Sequence, residues 1–246
     1  MTPQMVGALA SLISAVVWPA IVVLLVILFR RPIGEILRSL ESVTLKFAGQ
    51  EVSLSRVIED TAAKLIRSDP NASKAVTPQQ MAAAAQVASV AKRSSQPLAR
   101  QQLVDLASEY ERTRASMAPG DARTRKMELI VTKMRTLGLA AYPYLGEFSR
   151  STSAGERLAA IAILQINPDS QYWDWLADRL GDERPFVGYQ AAVALLTAVR
   201  ASAPTDKERL DPILRRAKES LGADLTDSDR AKTIDTAVRE LHGGAP

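Results

Sequence analysis

The stretch GERLAAIAILQ (residues 155–165) returns, altered, as GYQAAVALLTA (188–198). Ala159-Ala160-Ile161-Ala162 aligns with Ala191-Ala192-Val193-Ala194 at an offset of 32 residues. Both segments follow a loop and an acidic residue, and both are apolar almost all round. An all-round apolar helix is buried on most of its sides. Small alanines let neighbouring backbones approach, and the branched residues fill the layer between them. Similarity at this period is the signature of stacked helical hairpins. The short helix between the two, QYWDWLADRL, offers Trp173, Leu176 and Leu180 as cover.

Working outward, the helical pattern continues in both directions. Leu103, Leu106, Tyr110, Thr113 and Met117 fall at 3-4-3-4 spacing, one stripe of a helix. Ala118-Pro119-Gly120-Asp121 predicts a turn with Asp121 as N-cap. Met127, Ile130, Val131, Met134 and Leu137 make the next stripe, with Gly138 near its end. Near the C-terminus, Ile234, Ala237, Val238 and Leu241 make one more.

The repeated segments resemble the HEAT-repeat class, in particular the short, PBS-lyase-type form of bacterial proteins with its R-x-x-A-A-x-A-L helix. The residues that carry the likeness are Arg157, Ala160, Ile161 and Ile163-Leu164, and again Ala191, Ala192, Ala194 and Leu195. It covers about residues 139 to 200 and, more loosely, 206 to 242. The resemblance implies an α-solenoid, an architecture that recognises partners on its stacked surface.

Upstream of the body the composition changes. Thr77-Pro78-Gln79-Gln80 predicts a helix start, with Thr as N-cap, Pro at the first helical position and Gln at the third. The alanine-rich helix that follows lies between two breaks, DPNASKAVTPQ and RSSQPLAR, so residues 68–97 read as a tether carrying one helix. Before it, residues 30–67 read as a membrane-proximal neck. Ile33, Ile36, Leu37 and Leu40 share a face of a short amphipathic helix. Val43, Leu45 and Phe47 alternate with polar residues, Ala48-Gly49 can turn, and Val52 and Leu54 alternate again, which predicts a small β-hairpin.

The head is the most apolar part of the chain. Residues 1–29 contain no Lys, Arg, Asp or Glu. As a helix, Val6 to Phe29 would be roughly 34 Å long, enough to cross a bilayer with some tilt. It lacks the basic start and the small-residue cleavage site of a signal peptide. Arg30, Arg31 and Arg38 follow the span, and the positive-inside rule places them and the body in the cytoplasm, with the N-terminus outside. The chain is therefore expected in an inner (cytoplasmic) membrane, as a single-pass protein. Pro19 should kink the span. Gly7, Ser11 and Ala15 share a face on which two copies can meet, so self-association through the span, or through the hairpin, is open. The expected fold is thus mostly α, with a span at 1–29, a neck at 30–67, a tether at 68–97 and a stacked helical module at 98–246.

Little in the sequence points to a reaction. There is no cysteine, and the single histidine, His242, lies close to the end. Thiolate chemistry is excluded and any histidine-based site would rest on that one residue. Phosphate-loop, dinucleotide, nucleophile-elbow and zincin motifs are missing. Asp174, Asp178, Asp182 and Glu183 cluster on one helix and its following loop, which reads as a solvated face. Asp224, Asp227 and Asp229 lack the turn glycine and terminal glutamate of a calcium loop. Capping by Thr226 or Asp227 explains them better. No cofactor and no metal site is expected.

Two sets of residues stand out as candidates for binding. Residues 92–135 carry ten Lys or Arg against five Asp or Glu. Of these Arg112, Arg114, Arg123, Arg125 and Lys126 flank the Pro119-Gly120 turn, where a basic loop beside a helix start can bind the phosphate of an anionic lipid, a nucleotide or nucleic acid. The alternative is an ordinary solvated surface. No aromatic residues interleave with these charges, which argues against single-strand stacking, and nucleic acid is not an expected partner. Phe186 and Tyr189 follow the loop GDERP and either line a partner groove or belong to the core. The expectation is a non-catalytic, membrane-tethered module that binds a protein partner or senses a signal at the cytoplasmic face of the bilayer. The alternative is a membrane effector whose oligomerisation disturbs the bilayer. The layout is similar to that of membrane-tethered components of bacterial defence and signalling systems.

Overall fold

Stripes at three- and four-residue spacing become buried helix faces in the computed structural model, which describes residues 54–65, 67, 75–94, 96–221 and 228–243. The chain divides into two units, 1–52 and 53–246, and the described residues belong to the second. The expected span, its flanking Arg30, Arg31 and Arg38, the amphipathic neck and most of the hairpin lie outside them. Among the described residues, no helix is long and apolar enough to cross a membrane.

Residues 54–65 are helical (α1). There follow α2 (Pro78–Ser94), α3 (Gln96–Ser116), α4 (Asp121–Ala141), α5 (Leu145–Ser149), α6 (Ala154–Ile166), α7 (Trp173–Asp182), α8 (Pro185–Ala201), α9 (Lys207–Glu219) and α10 (Asp229–Leu241). Short 3-10 turns precede α5, α7 and α9. The described part is all-α. The helices α4, α6, α8 and α10 pack on one another in chain order, and α3, α5, α7 and α9 each lie on the helix that follows. The helix α2 packs on α4, and α3 also reaches α6.

The reason is in the residues. The face of α4 formed by Met127, Ile130, Val131, Met134 and Leu137 is buried, as its spacing predicts. In α6 every residue from Leu158 to Ile166 is buried, and in α8 every residue from Gln190 to Leu196. Such helices have no solvated side, so each needs a neighbour on more than one face. Between α7 and α8 the cover is Trp173, Leu176 and Leu180, all buried. Burying an aliphatic or aromatic side chain of this kind contributes about 1.5–3 kcal/mol.

The middle of this apolar layer holds a polar thread. Arg135 of α4 is fully buried. Its Nε donates to Gln165 Oε1 of α6 at 2.6 Å, and its Nη2 donates to Gln190 Oε1 of α8 at 3.1 Å. Gln165 in turn donates Nε2 to the Gln190 carbonyl at 2.7 Å. Burial pushes the Arg135 guanidinium down to about 10, still charged at neutral pH. A buried charge is tolerated only where it is hydrogen-bonded, so these amides hold α4, α6 and α8 in one register.

Several local expectations are corrected. Leu54, read as the end of a hairpin strand, begins the described part of a helix instead, and no strand occurs among the described residues. Leu54, Ile58, Ala62 and Leu65 are buried at helical spacing, and that face outweighs the alternation at its edge. The alanine-rich helix given to a tether is packed: Ala84, Val87 and Ala91 are buried against the core. The cap of α4 is Gly120, at φ 147°, rather than Asp121, which is the first helical residue. At α10 the cap is Ser228, whose hydroxyl accepts from the Ala231 amide at 3.3 Å, rather than Thr226 or Asp227, which lie outside the described residues. The cap expected at Thr77 is present, its hydroxyl accepting from the Gln80 amide at 3.3 Å.

Candidate functional site

The turn at Pro119-Gly120 sends the chain from α3 into α4, and this reversal puts the end of α3 beside the first turns of α4. Arg114 sits near the end of α3, and Arg123, Thr124, Met127 and Glu128 sit on the first two turns of α4. The stacking order then brings the start of α8, with Pro185, Phe186 and Tyr189, and the start of α10, with Asp229 and Arg230, to the same place. Together with Ser228 these residues line a cleft of about 520 Å³. That volume lies within the usual range of small-molecule sites.

Arg114 and Arg123 from the basic turn and Phe186 and Tyr189 from the aromatic pair therefore share one cleft. The other three basic residues do not join them. Arg112 lines a separate polar groove with Glu59, Asp105, Glu109 and Lys133. Lys126 pairs with Glu109 at 3.4 Å. Arg125 is exposed. Phe186 serves both readings proposed for it: half-buried and packed on the core, it stacks on Tyr110 with ring centroids 6.0 Å apart and still lines the cleft.

Arg114, Arg123 and Arg230 form no ion pair among the described residues, although Glu128 and Asp229 share the lining with them. Arg123 donates from Nη1 to the Met117 carbonyl at 3.3 Å. Arg230 is almost wholly buried and donates from Nη1 to the Leu180 carbonyl at 2.6 Å. Burial lowers the proton affinity of the Arg230 guanidinium. The Nε atoms of Arg114 and Arg123 are buried without a hydrogen-bond partner, and the fully buried Tyr110 lies next to Arg114. Burial pushes the Tyr110 hydroxyl up, and the neighbouring Arg114 guanidinium pulls it the other way. Unpartnered buried polar groups are uncommon and costly, and two of them belong to residues that line this cleft.

Several other cations of the body are paired. Arg157 and Glu183 form a partly buried ion pair that links α6 to the end of α7, and Arg157 also donates to the Ser151 carbonyl at 3.0 Å. Arg179 pairs with Asp182 at 3.0 Å, and Arg216 pairs with Asp174 at 2.7 Å and Asp178 at 3.6 Å. Asp174, Asp178 and Asp182 of the acidic cluster are exposed, a solvated face as expected, whereas Glu183 is buried. Arg200 and Glu240 make a two-pronged pair at 2.8 and 2.7 Å between α8 and α10. His242 is exposed and lies 2.9 Å from Asp211. Among the described residues, no group of His, Cys, Asp and Glu is placed to hold a metal.

The sequence reading missed Arg230. It follows a polar run and belongs to no stripe. The one local signal is Gly188, where an added Cβ would lie 3.0 Å from Arg230 Nη1 and 3.1 Å from the Leu180 carbonyl. The glycine of GYQAA makes room for the arginine. Compared with known proteins, the chain matches no family model, no curated protein and no solved structure.

Proposed function

We propose that the chain is a non-catalytic recognition module, held at the cytoplasmic face of an inner membrane by its first 29 residues, and that the cleft between α3, α4, α8 and α10 is where it recognises its target. The observation that carries this reading is the meeting of Arg114 and Arg123 with Phe186 and Tyr189 in one cleft. Guanidinium groups without a carboxylate partner beside an aromatic wall suit recognition, because Arg and Tyr are enriched among the few residues that carry most of an interface's binding energy. The pairwise stacking of α3–α4, α5–α6, α7–α8 and α9–α10 supports a solenoid of helical hairpins similar to the HEAT class. Tethering such a surface to a bilayer raises its effective concentration for anything else held there.

Two measurements test the reading. A photo-crosslinking residue in place of Tyr189, in the full chain in native membranes, should capture a specific partner, and Arg123→Glu should abolish the capture. Capture that is unchanged by Arg123→Glu removes the cleft from the recognition surface. The full chain should also stay with the membrane through carbonate extraction and show a cytoplasmic C-terminus; release by carbonate would remove the anchor.

A further inference from the structure

The cleft is partly open, and its walls come from four elements rather than from one helix face. Its lining comes from the end of α3, the start of α4, the start of α8 and the start of α10. A cleft of about 520 Å³ has the size that suits a compact ligand. Its chemistry is divided. Arg114, Arg123 and Arg230 supply three guanidinium groups with no carboxylate partner among the described residues. Met127, Phe186 and Tyr189 supply an apolar and aromatic wall, and Glu128 and Asp229 supply acceptors for hydrogen-bond donors.

A carboxylate has two oxygens and is satisfied by one arginine fork, whereas a phosphate can engage several forks at once. The first turns of α4 and α8 also carry no side-chain cap, so their amides add to the positive potential. A flat ring stacks on aromatic side chains whatever its identity. Glu128 and Asp229 suit a ring that bears amino or imino N–H groups, and they disfavour a ligand that is only an anion. Resting on the reading of this cleft as the recognition site, we propose that its occupant is a nucleotide. Its phosphate would be held by Arg114 and Arg123, with the buried Arg230 adding positive charge behind them, and its base would lie against Phe186 and Tyr189.

The test is calorimetric titration of the full chain in detergent with AMP, GMP, CMP and UMP, and with adenosine and inorganic phosphate as fragments. At least one nucleotide should bind, and the two fragments should each bind much more weakly. Arg123→Ala should weaken binding about 10- to 100-fold, the loss expected for a charge-assisted hydrogen bond. Arg123→Lys, which keeps the charge and loses the fork, should fall between. Both variants are checked for unchanged helicity and melting, so that lost binding is not lost folding. If no mononucleotide binds the parent chain, the assignment is overturned. Phosphate binding as tightly as any nucleotide would reduce the site to an anion hole and overturn it equally. Should nucleotides fail while Tyr189 crosslinking still captures a protein in an Arg123-dependent way, the recognition reading stands and the ligand class alone falls.

Discussion

Gly155 occupies the second position of α6, and an added Cβ there would lie 2.4 Å from the Ala107 carbonyl oxygen and 2.9 Å from its carbon. Backbone cannot swing aside as a side chain can. The same residue donates its amide to Glu111 Oε1 at 2.8 Å, so the start of α6 is drawn onto α3 by a charged acceptor as well as by its missing side chain. Gly155→Ala should therefore separate α3 from α6. Overpacking of this sort costs about 1–3 kcal/mol, occasionally more, a large part of the roughly 5–15 kcal/mol that holds a domain together. Thermal melting of the full chain in detergent, followed by circular dichroism, measures the loss. A variant that melts with the parent would mean that α3 and α6 are not in backbone contact.

Alanine plays two parts in the helices, and burial separates them. Ala160 of α6, Ala192 of α8 and Ala84 of α2 are fully buried, while Ala82 is exposed. Replacement by leucine adds three carbons. At the three buried positions the expected cost is again about 1–3 kcal/mol, and Ala82→Leu should melt like the parent, since leucine is nearly as good a helix former as alanine. Loss at Ala84 with none at Ala82 would show that α2 belongs to the packed body. If Ala160→Leu and Ala192→Leu both leave the melting unchanged, α6 and α8 are not inner helices, and the stacking on which the cleft depends is wrong.

Across the whole molecule, ion pairs join helices that are distant in sequence. The Arg100 guanidinium, hydrogen-bonded to Glu147, holds that carboxyl below the ordinary carboxylate range, and Arg200 does the same to Glu240. A carboxyl depressed in the folded state binds its proton more readily in the unfolded state. Its contribution to stability is present above its ordinary value near 4.5 and is lost as pH falls through the lower folded value. Melting temperatures should accordingly drop below about pH 4.5. The double variant Glu147→Gln with Glu240→Gln should start lower at neutral pH and decline less steeply in acid. Equal slopes for parent and variant would show that these pairs do not couple folding to pH.

The all-helical body was legible in the sequence because a helix writes its buried face into a period that local residues alone decide. The stripes of α3, α4 and α10, the alanine repeat of α6 and α8, the cover from α7 and the Thr77 cap all follow from spacing. Where two local signals competed, as at Leu54, spacing over a longer stretch prevailed. Burial of α2 was hidden, because an alanine-rich helix looks the same on a surface as in a tight interface. The cleft was half legible: Arg114, Arg123, Phe186 and Tyr189 stood out as two separate sets. Only the tertiary structure could join them, since they lie more than sixty residues apart and meet through the stacking of α4, α6 and α8. The same packing decided that Arg230 belongs with them, and that Arg135, one more basic residue in a basic stretch, lies fully buried among glutamines. Charge and type are properties of a residue, but whether a charge is paired, buried or left free to bind depends on what the fold brings to its side.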